Sequence, residues 1–216
     1  MTSKIHSQNL YLIAVTGNFG TGKSFVGKVL TNFGILTIDT DFIVKNILSL
    51  KNNVTERIVQ SFGNQVLNVT NNEYINKTVL ASLVFGDERK RKILEGIIHP
   101  EVAKVLKSII VNEKEHKLIV VLIPLLFECN LQDSYDEVWC VVCRPEVQTR
   151  RLIEKGFSLD EIKKRIVAQI SQEEKVKKSD FVIDNSDDFL KTKEQVKGRL
   201  RQLAQLNHNL HLFLDR

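Results

Sequence analysis

Five short apolar runs punctuate the chain: Leu10–Thr16, Ile35–Ile38, Leu118–Ile123, Val138–Cys143 and Phe181–Ile183. Each is continuous rather than alternating, the pattern of strands covered on both faces. Helical spacing fills the intervals. Phe25, Val26, Val29, Leu30 and Phe33 form one apolar stripe, and Gly34 stands where a helix C-terminal cap is expected. Strand and helix in alternation predict an α/β fold with a five-stranded parallel sheet. Between about residues 43 and 115 the strand pattern lapses. Ile93, Leu94, Ile97 and Ile98, then Val102, Val105, Leu106 and Ile109, make helical stripes instead. A break is expected between them at His99-Pro100, because the residue before proline is pushed out of the α region. The segment reads as a helical subdomain inserted between the second and third strands.

Composition narrows the class. At 216 residues, 43% hydrophobic and 26% charged, the chain fits one ordinary globular domain. The formal charge of +5 suits nucleic acid or a small polyanion such as a nucleotide. No RGG-type, zinc-finger or alternating basic–aromatic segment favours nucleic acid, so none is expected as a partner. The first nine residues are polar, and the apolar stretch Leu118–Leu126 is too short to cross a bilayer. A cytoplasmic protein with no membrane partner is expected, and oligomeric state is not legible.

Cys140-x-x-Cys143 has redox or metal spacing on paper, but it lies inside the run Val138–Cys143. An odd separation along a strand sends the two thiols to opposite faces, so buried, unbridged cysteines are expected. From Arg144 to Lys178, ten Lys/Arg face six Asp/Glu, which is net +4. Ser158-Leu159-Asp160-Glu161 is a capping box that starts a helix there. The stretch reads either as a solvated helical face or as a lid over phosphates.

The chemistry begins at Gly17-Asn18-Phe19-Gly20-Thr21-Gly22-Lys23-Ser24, a full G-x-x-x-x-G-K-[ST] match with an apolar strand before it and an amphipathic helix after it. In such a P-loop, glycines let amide N–H groups wrap phosphates, and the helix N-terminus adds its positive dipole end. Lys23 would reach the β- and γ-phosphates, and the Ser24 hydroxyl would hold Mg²⁺. A GTPase should add N-K-x-D, but Asn76-Lys77-Thr78-Val79 lacks the aspartate. A motor ATPase should end its third strand in Asp or Asp-Glu, where this chain has Pro124. The second strand ends in Asp39-Thr40-Asp41, two carboxylates on one side of an extended chain at the sheet's carboxyl edge. One could accept the proton of an attacking hydroxyl while the other, Asp39 if Asp41 is the base, helps order Mg²⁺ or the loop. Equally, Asp41 could only cap a helix starting at Phe42.

Taken together, these residues resemble the dephospho-coenzyme A kinase family. The resemblance runs from the P-loop through Asp39-x-Asp41, Leu94-Glu95-x-Ile97-Ile98-His99-Pro100 and Pro124-Leu125-Leu126-Phe127-Glu128. It continues in Gln148-x-x-Arg151-Leu152, Arg165-Ile166-x-x-Gln169 and Asp180-Phe181-Val182-Ile183-Asp184-Asn185. It implies a P-loop NTPase-type three-layer sandwich: a core of residues 1–44, 116–150 and 180–216, a helical acceptor subdomain over 45–115, and a lid over 151–179. It also implies transfer of a phosphoryl group from MgATP to the ribose 3′-hydroxyl of dephospho-coenzyme A. By that match Asp41, Lys23 and Arg151 are catalytic. Gly17 to Phe25 and Asn185 bind ATP, and Asp41, Lys77, His99 and Pro124 face the acceptor. Arg151, Lys155, Arg165 and Gln169 belong to the lid. The chain departs from the family pattern at Glu154-Lys155-Gly156, Asn76-Lys77, Ser186-Asp187 and Phe25. A kinase of another small acceptor, or a nucleotide-binding module without catalysis, remain the alternatives.

Overall fold

The computed structural model describes residues 10–68, 74–84, 86–207 and 210. Among them the chain runs β1 (Tyr11–Thr16), α1 (Lys23–Asn32), β2 (Leu36–Asp39), α2 (Thr40–Ser49), α3 (Asn53–Phe62), α4 (Lys77–Val84), α5 (Glu88–Asn112) and β3 (Leu118–Leu122). It continues with β4 (Glu137–Val142), α6 (Pro145–Glu154), α7 (Leu159–Val167), α8 (Gln172–Lys177), β5 (Phe181–Asp184) and α9 (Phe189–Leu206). Two compact units result. One holds the described residues up to Asp39 and from Glu113 onward; the other is Thr40–Asn112.

In the first unit all five strands pair in parallel, in the order β2-β3-β1-β4-β5. The apolar runs make this possible, since a strand buried on both faces needs no polar alternate position. Ile13 and Val15 of β1 join Val26, Val29 and Leu30 of α1 and Val196, Leu200 and Leu203 of α9 in one core under the sheet. Leu12 and Ala14 turn to the opposite face and are equally buried. Central β1 thus delivers the glycine turn to the middle of the carboxyl edge, with β3 and β4 on either side. The Gly34 cap is present: its φ is 76°, its N–H bonds Thr31 O at 2.9 Å, and Ile35 N bonds Leu30 O at 3.2 Å. This is a Schellman closure.

The second unit is helical, with a core built from Leu48, Val54, Ile58, Phe62, Ile75, Leu80, Ile97 and Ile98. One antiparallel bridge, Leu67–Ile75, lies in it. Its bounds, 40 and 112, differ from the 45 and 115 read from the sequence, because α2 follows β2 without a linker.

Two sequence expectations are corrected here. The break at His99-Pro100 does not occur: α5 is continuous from Glu88 to Asn112 with Pro100 inside it. Proline leaves the carbonyl of Gly96 without its helical partner, but Gly96, His99 and Pro100 all lie on the exposed face, where water can serve that carbonyl. The buried Ile97, Ile98, Leu106 and Ile110 hold the opposite face in place across the proline. Nor is Asp39-Thr40-Asp41 an extended run. The strand ends at Asp39 and the helix begins at Thr40, so the alternation that would align the two carboxylates stops between them. Asp41 sits inside the first turn of α2, not before it, and so is not the cap.

Candidate active site

The P-loop occupies the turn from Gly17 to the first turn of α1. Gly17 and Gly22 have φ of 147° and 105°, and a Cβ at either would collide, with the Val141 carbonyl and the Asn185 side-chain amide respectively. Glycine is therefore required both by conformation and by space. Lys23 Nζ reaches back across the loop to Gly17 O at 2.7 Å and Asn18 O at 3.2 Å, and Thr21 Oγ1 donates to Asn18 O at 3.0 Å. These bonds turn carbonyls onto the lysine and leave an ammonium at the mouth of the turn. Ser24 is exposed on the first turn of α1, while Phe25 packs half-buried against the sheet core.

Residues far along the chain close around this turn. Phe19 N donates to Gln169 Oε1 at 2.8 Å, Phe19 O accepts from Gln148 Nε2, and Asn18 Nδ2 donates to Ile170 O at 3.0 Å. The Arg165 guanidinium stands 4.9 Å from the Phe19 ring centroid and 5.0 Å from that of Phe157, and the two rings meet edge-on at 5.1 Å. Such contacts contribute on the order of 1 kcal/mol each. Arg165 lies on α7, whose predicted Ser158–Glu161 capping box is present. Gln169 lies two residues beyond the last residue of α7, so although it stands four positions after Arg165 the two do not share a helix face. Arg151, in the last turn of α6, donates from Nη1 to Asn185 O at 2.7 Å. Lys155 caps the end of α6 and is exposed.

Beside the turn, Pro124 O accepts from Thr16 Oγ1 at 3.3 Å and from Lys175 Nζ at 3.0 Å. Lys175 is completely buried and pairs with Glu128 Oε1 at 2.9 Å, which also accepts from Ile170 N at 3.1 Å. Asp39 is level with Leu122 and Val15 in the register of β2, β3 and β1, two strand spacings (roughly 10 Å) from the root of the P-loop. Asp41, Lys77 and His99 belong to the helical unit. There Asp41 is exposed in the first turn of α2, Lys77 opens α4, and His99 is exposed on α5.

Cys140 and Cys143 are both buried and free, as the strand reading required. Burial pushes the Cys140 thiol up to about 11, against the downward pull of the Lys175 and Lys23 charges. A thiol so placed is inert at neutral pH.

The profile of the family described as Dephospho-CoA kinase matches residues 11–191. The Dephospho-CoA kinase of Gloeobacter violaceus is 37% identical over 194 residues, covering 89% of this chain and 93% of that protein. Among solved structures, a Thermus thermophilus protein superposes with a TM-score of 0.79 at 29% identity, covering 93% of this chain and 100% of that one. The Dephospho-CoA kinase from Campylobacter jejuni gives 0.66 at 28% identity, covering 91% and 98%. The chain belongs to the dephospho-CoA kinase family.

Phosphoryl transfer from ATP generally takes place on its magnesium complex. The residues suit Mg²⁺: an exposed serine hydroxyl opening α1 and a carboxylate ending β2 are hard oxygen donors. No helix among the described residues is long and apolar enough to cross a membrane. Four residues that support the turn and its neighbours carried no role in the sequence reading: Gln148, Glu128, Lys175 and Thr192, whose hydroxyl donates to Asn185 Oδ1 at 3.0 Å. Glu128 and Gln148 at least stand inside quoted motifs. Lys175 hides in a charged stretch, where nothing local separates a buried lysine from its solvated neighbours.

Proposed function

We propose that this chain transfers the γ-phosphoryl group of ATP to the ribose 3′-hydroxyl of dephospho-CoA, yielding coenzyme A and ADP in the last step of coenzyme A synthesis. The observation that carries this is the family match over residues 11–191, which begins at the strand leading into the P-loop and runs through the lid.

Residue roles follow from the chemistry of in-line phosphoryl transfer, where a protein chiefly positions groups and neutralises charge. The amides of Gly17 to Phe25 and the α1 N-terminus receive the β- and γ-phosphates, and the Lys23 ammonium moves from the Gly17 and Asn18 carbonyls onto them. Arg151 supplies a second positive charge to the transferring group. Mg²⁺, held by Ser24 and Asp39, would spread charge over the phosphate oxygens when bound. Asp41 takes the proton of the 3′-hydroxyl, or orients it, and Lys77, His99 and Pro124 contact the acceptor. Arg165, Gln169 and Lys155 belong to a lid that keeps water from the phosphates. The compartment is the cytoplasm.

A coupled assay with MgATP and dephospho-CoA, resolving the 3′-phosphorylated product, tests the reading directly. Preferential phosphorylation of a nucleoside monophosphate in an acceptor panel would overturn it.

A further inference from the structure

Asn185 follows β5 and is buried, 4% exposed, with all of its polar groups engaged. Its Nδ2 donates to Thr21 O at 2.8 Å, its Oδ1 accepts from Thr192 Oγ1 at 3.0 Å, and its backbone O accepts from Arg151 Nη1 at 2.7 Å. We propose that Asn185 is a positioning residue that sets the P-loop and the lid arginine together, and that Thr192 fixes the orientation of its amide. The proposal rests on the kinase reading given above and deepens it. Thr192 lies just past the segment matched by the family profile.

A trans peptide unit is planar, with its C=O and N–H pointing in opposite directions. Holding the Thr21 carbonyl against Asn185 therefore turns the Gly22 N–H the other way, toward the mouth of the turn where phosphate oxygens are received. Gly22 completes the fit: a Cβ there would strike Asn185 Nδ2, so the glycine is what allows the amide to approach. Arg151 hangs from the backbone of the same residue. One buried side chain thereby fixes an amide donor of the cradle, while its own carbonyl fixes the guanidinium proposed to meet the γ-phosphoryl group.

The amide can do this in one orientation only. Thr21 O is an acceptor, so the NH₂ group must face it, and Oδ1 must then find a donor elsewhere. Thr192, fully buried in the first turns of α9, supplies that donor. Without the hydroxyl, Oδ1 would be left buried and unpaired, and the flipped amide would set oxygen against oxygen at Thr21. Asn185 in this arrangement supports the cradle from behind.

The experiment is calorimetric titration of MgADP into the wild type, Thr192→Val, Thr192→Ser and Asn185→Asp, with no acceptor present, so that its result is independent of which acceptor the enzyme uses. Thr192→Val should weaken MgADP about tenfold and, in a separate steady-state assay, raise KM for ATP similarly while leaving KM for the acceptor unchanged. Thr192→Ser, which keeps the hydroxyl, should restore both. Asn185→Asp, which replaces the donor by a carboxylate facing Thr21 O, should lose more than Thr192→Val. Wild-type MgADP affinity in Thr192→Val, with only a lower melting temperature, would overturn the proposal. So would Thr192→Ser behaving like Thr192→Val.

Discussion

Removing Glu128 should destabilise the protein through Lys175. The Lys175 side chain is fully buried, whereas Glu128 is 18% exposed, and their atoms meet at 2.9 Å. In Glu128→Ala the ammonium keeps the Pro124 carbonyl but loses its counter-charge, and Ile170 N loses its acceptor. Breaking a buried pair from one side costs about 3–5 kcal/mol, and an orphaned amide adds about 1 kcal/mol. Water entering the space left by the shortened side chain offsets part of this, so about 3 kcal/mol is expected. For a chain of this length that is roughly 10 °C in melting temperature. Lys175→Met should cost a similar amount, about 3 kcal/mol, because Glu128 Oε2 is already buried without a hydrogen-bond partner and the carboxylate would lose its counter-charge. Glu128→Gln/Lys175→Met removes both charges and keeps an acceptor for Ile170 N. It should lie within about 1.5 kcal/mol of wild type. Urea and thermal denaturation of these proteins, with Glu128→Gln added as the matching single variant, close the double-mutant cycle. A Glu128→Ala cost under about 1 kcal/mol, or a double variant no more stable than Glu128→Ala, would show that the ammonium is not held as described.

Three further outcomes are expected. Asp41→Asn should lower turnover by roughly two to four orders of magnitude while MgATP still binds, as single-turnover rates and a binding titration would show together; unchanged turnover would return Asp41 to an ordinary first-turn carboxylate. Gly22→Ala should lose nucleotide affinity by about a hundredfold or more in the same titration, since both its φ of 105° and the Asn185 amide oppose a side chain. Stability should decline at alkaline pH. The Cys140 thiol is pushed up to about 11 in the folded protein, so its contribution is intact below about pH 9 and falls as pH rises from there toward 11. The loss from this thiol reaches about 3 kcal/mol, and Cys140→Ala should make the decline shallower in a series of urea melts, the remainder coming from Cys143, Tyr11 and Tyr135, whose pKa values burial also raises. An equally steep decline in that variant would place the effect elsewhere.

Much of this architecture was legible because it is written locally. A strand buried on both faces shows itself as a short apolar run, and all five runs became strands of one parallel sheet. The P-loop could be read because its requirements are those of adjacent peptide units: glycine where φ is positive, then lysine and serine opening a helix. The Ser158–Glu161 capping box and the Gly34 closure are equally local. The sequence patterns misled where a local rule met a wider context. Pro100 interrupts hydrogen bonding but not α5, because burial on the opposite face outlasts one lost bond. Asp39 and Asp41 looked aligned only while the strand was assumed to continue.

What no local pattern could show is which distant residues complete the turn. Gln169 meets Phe19 across 150 positions, and Asn185 meets Thr21 across 164. Both depend on sheet order. With β1 between β3 and β4, and β5 beyond β4, the segments that follow those strands converge on the glycine turn. Periodicity decides which face of an element is apolar. Only packing decides what that face meets, and so which lysine among many is buried and which asparagine becomes a support.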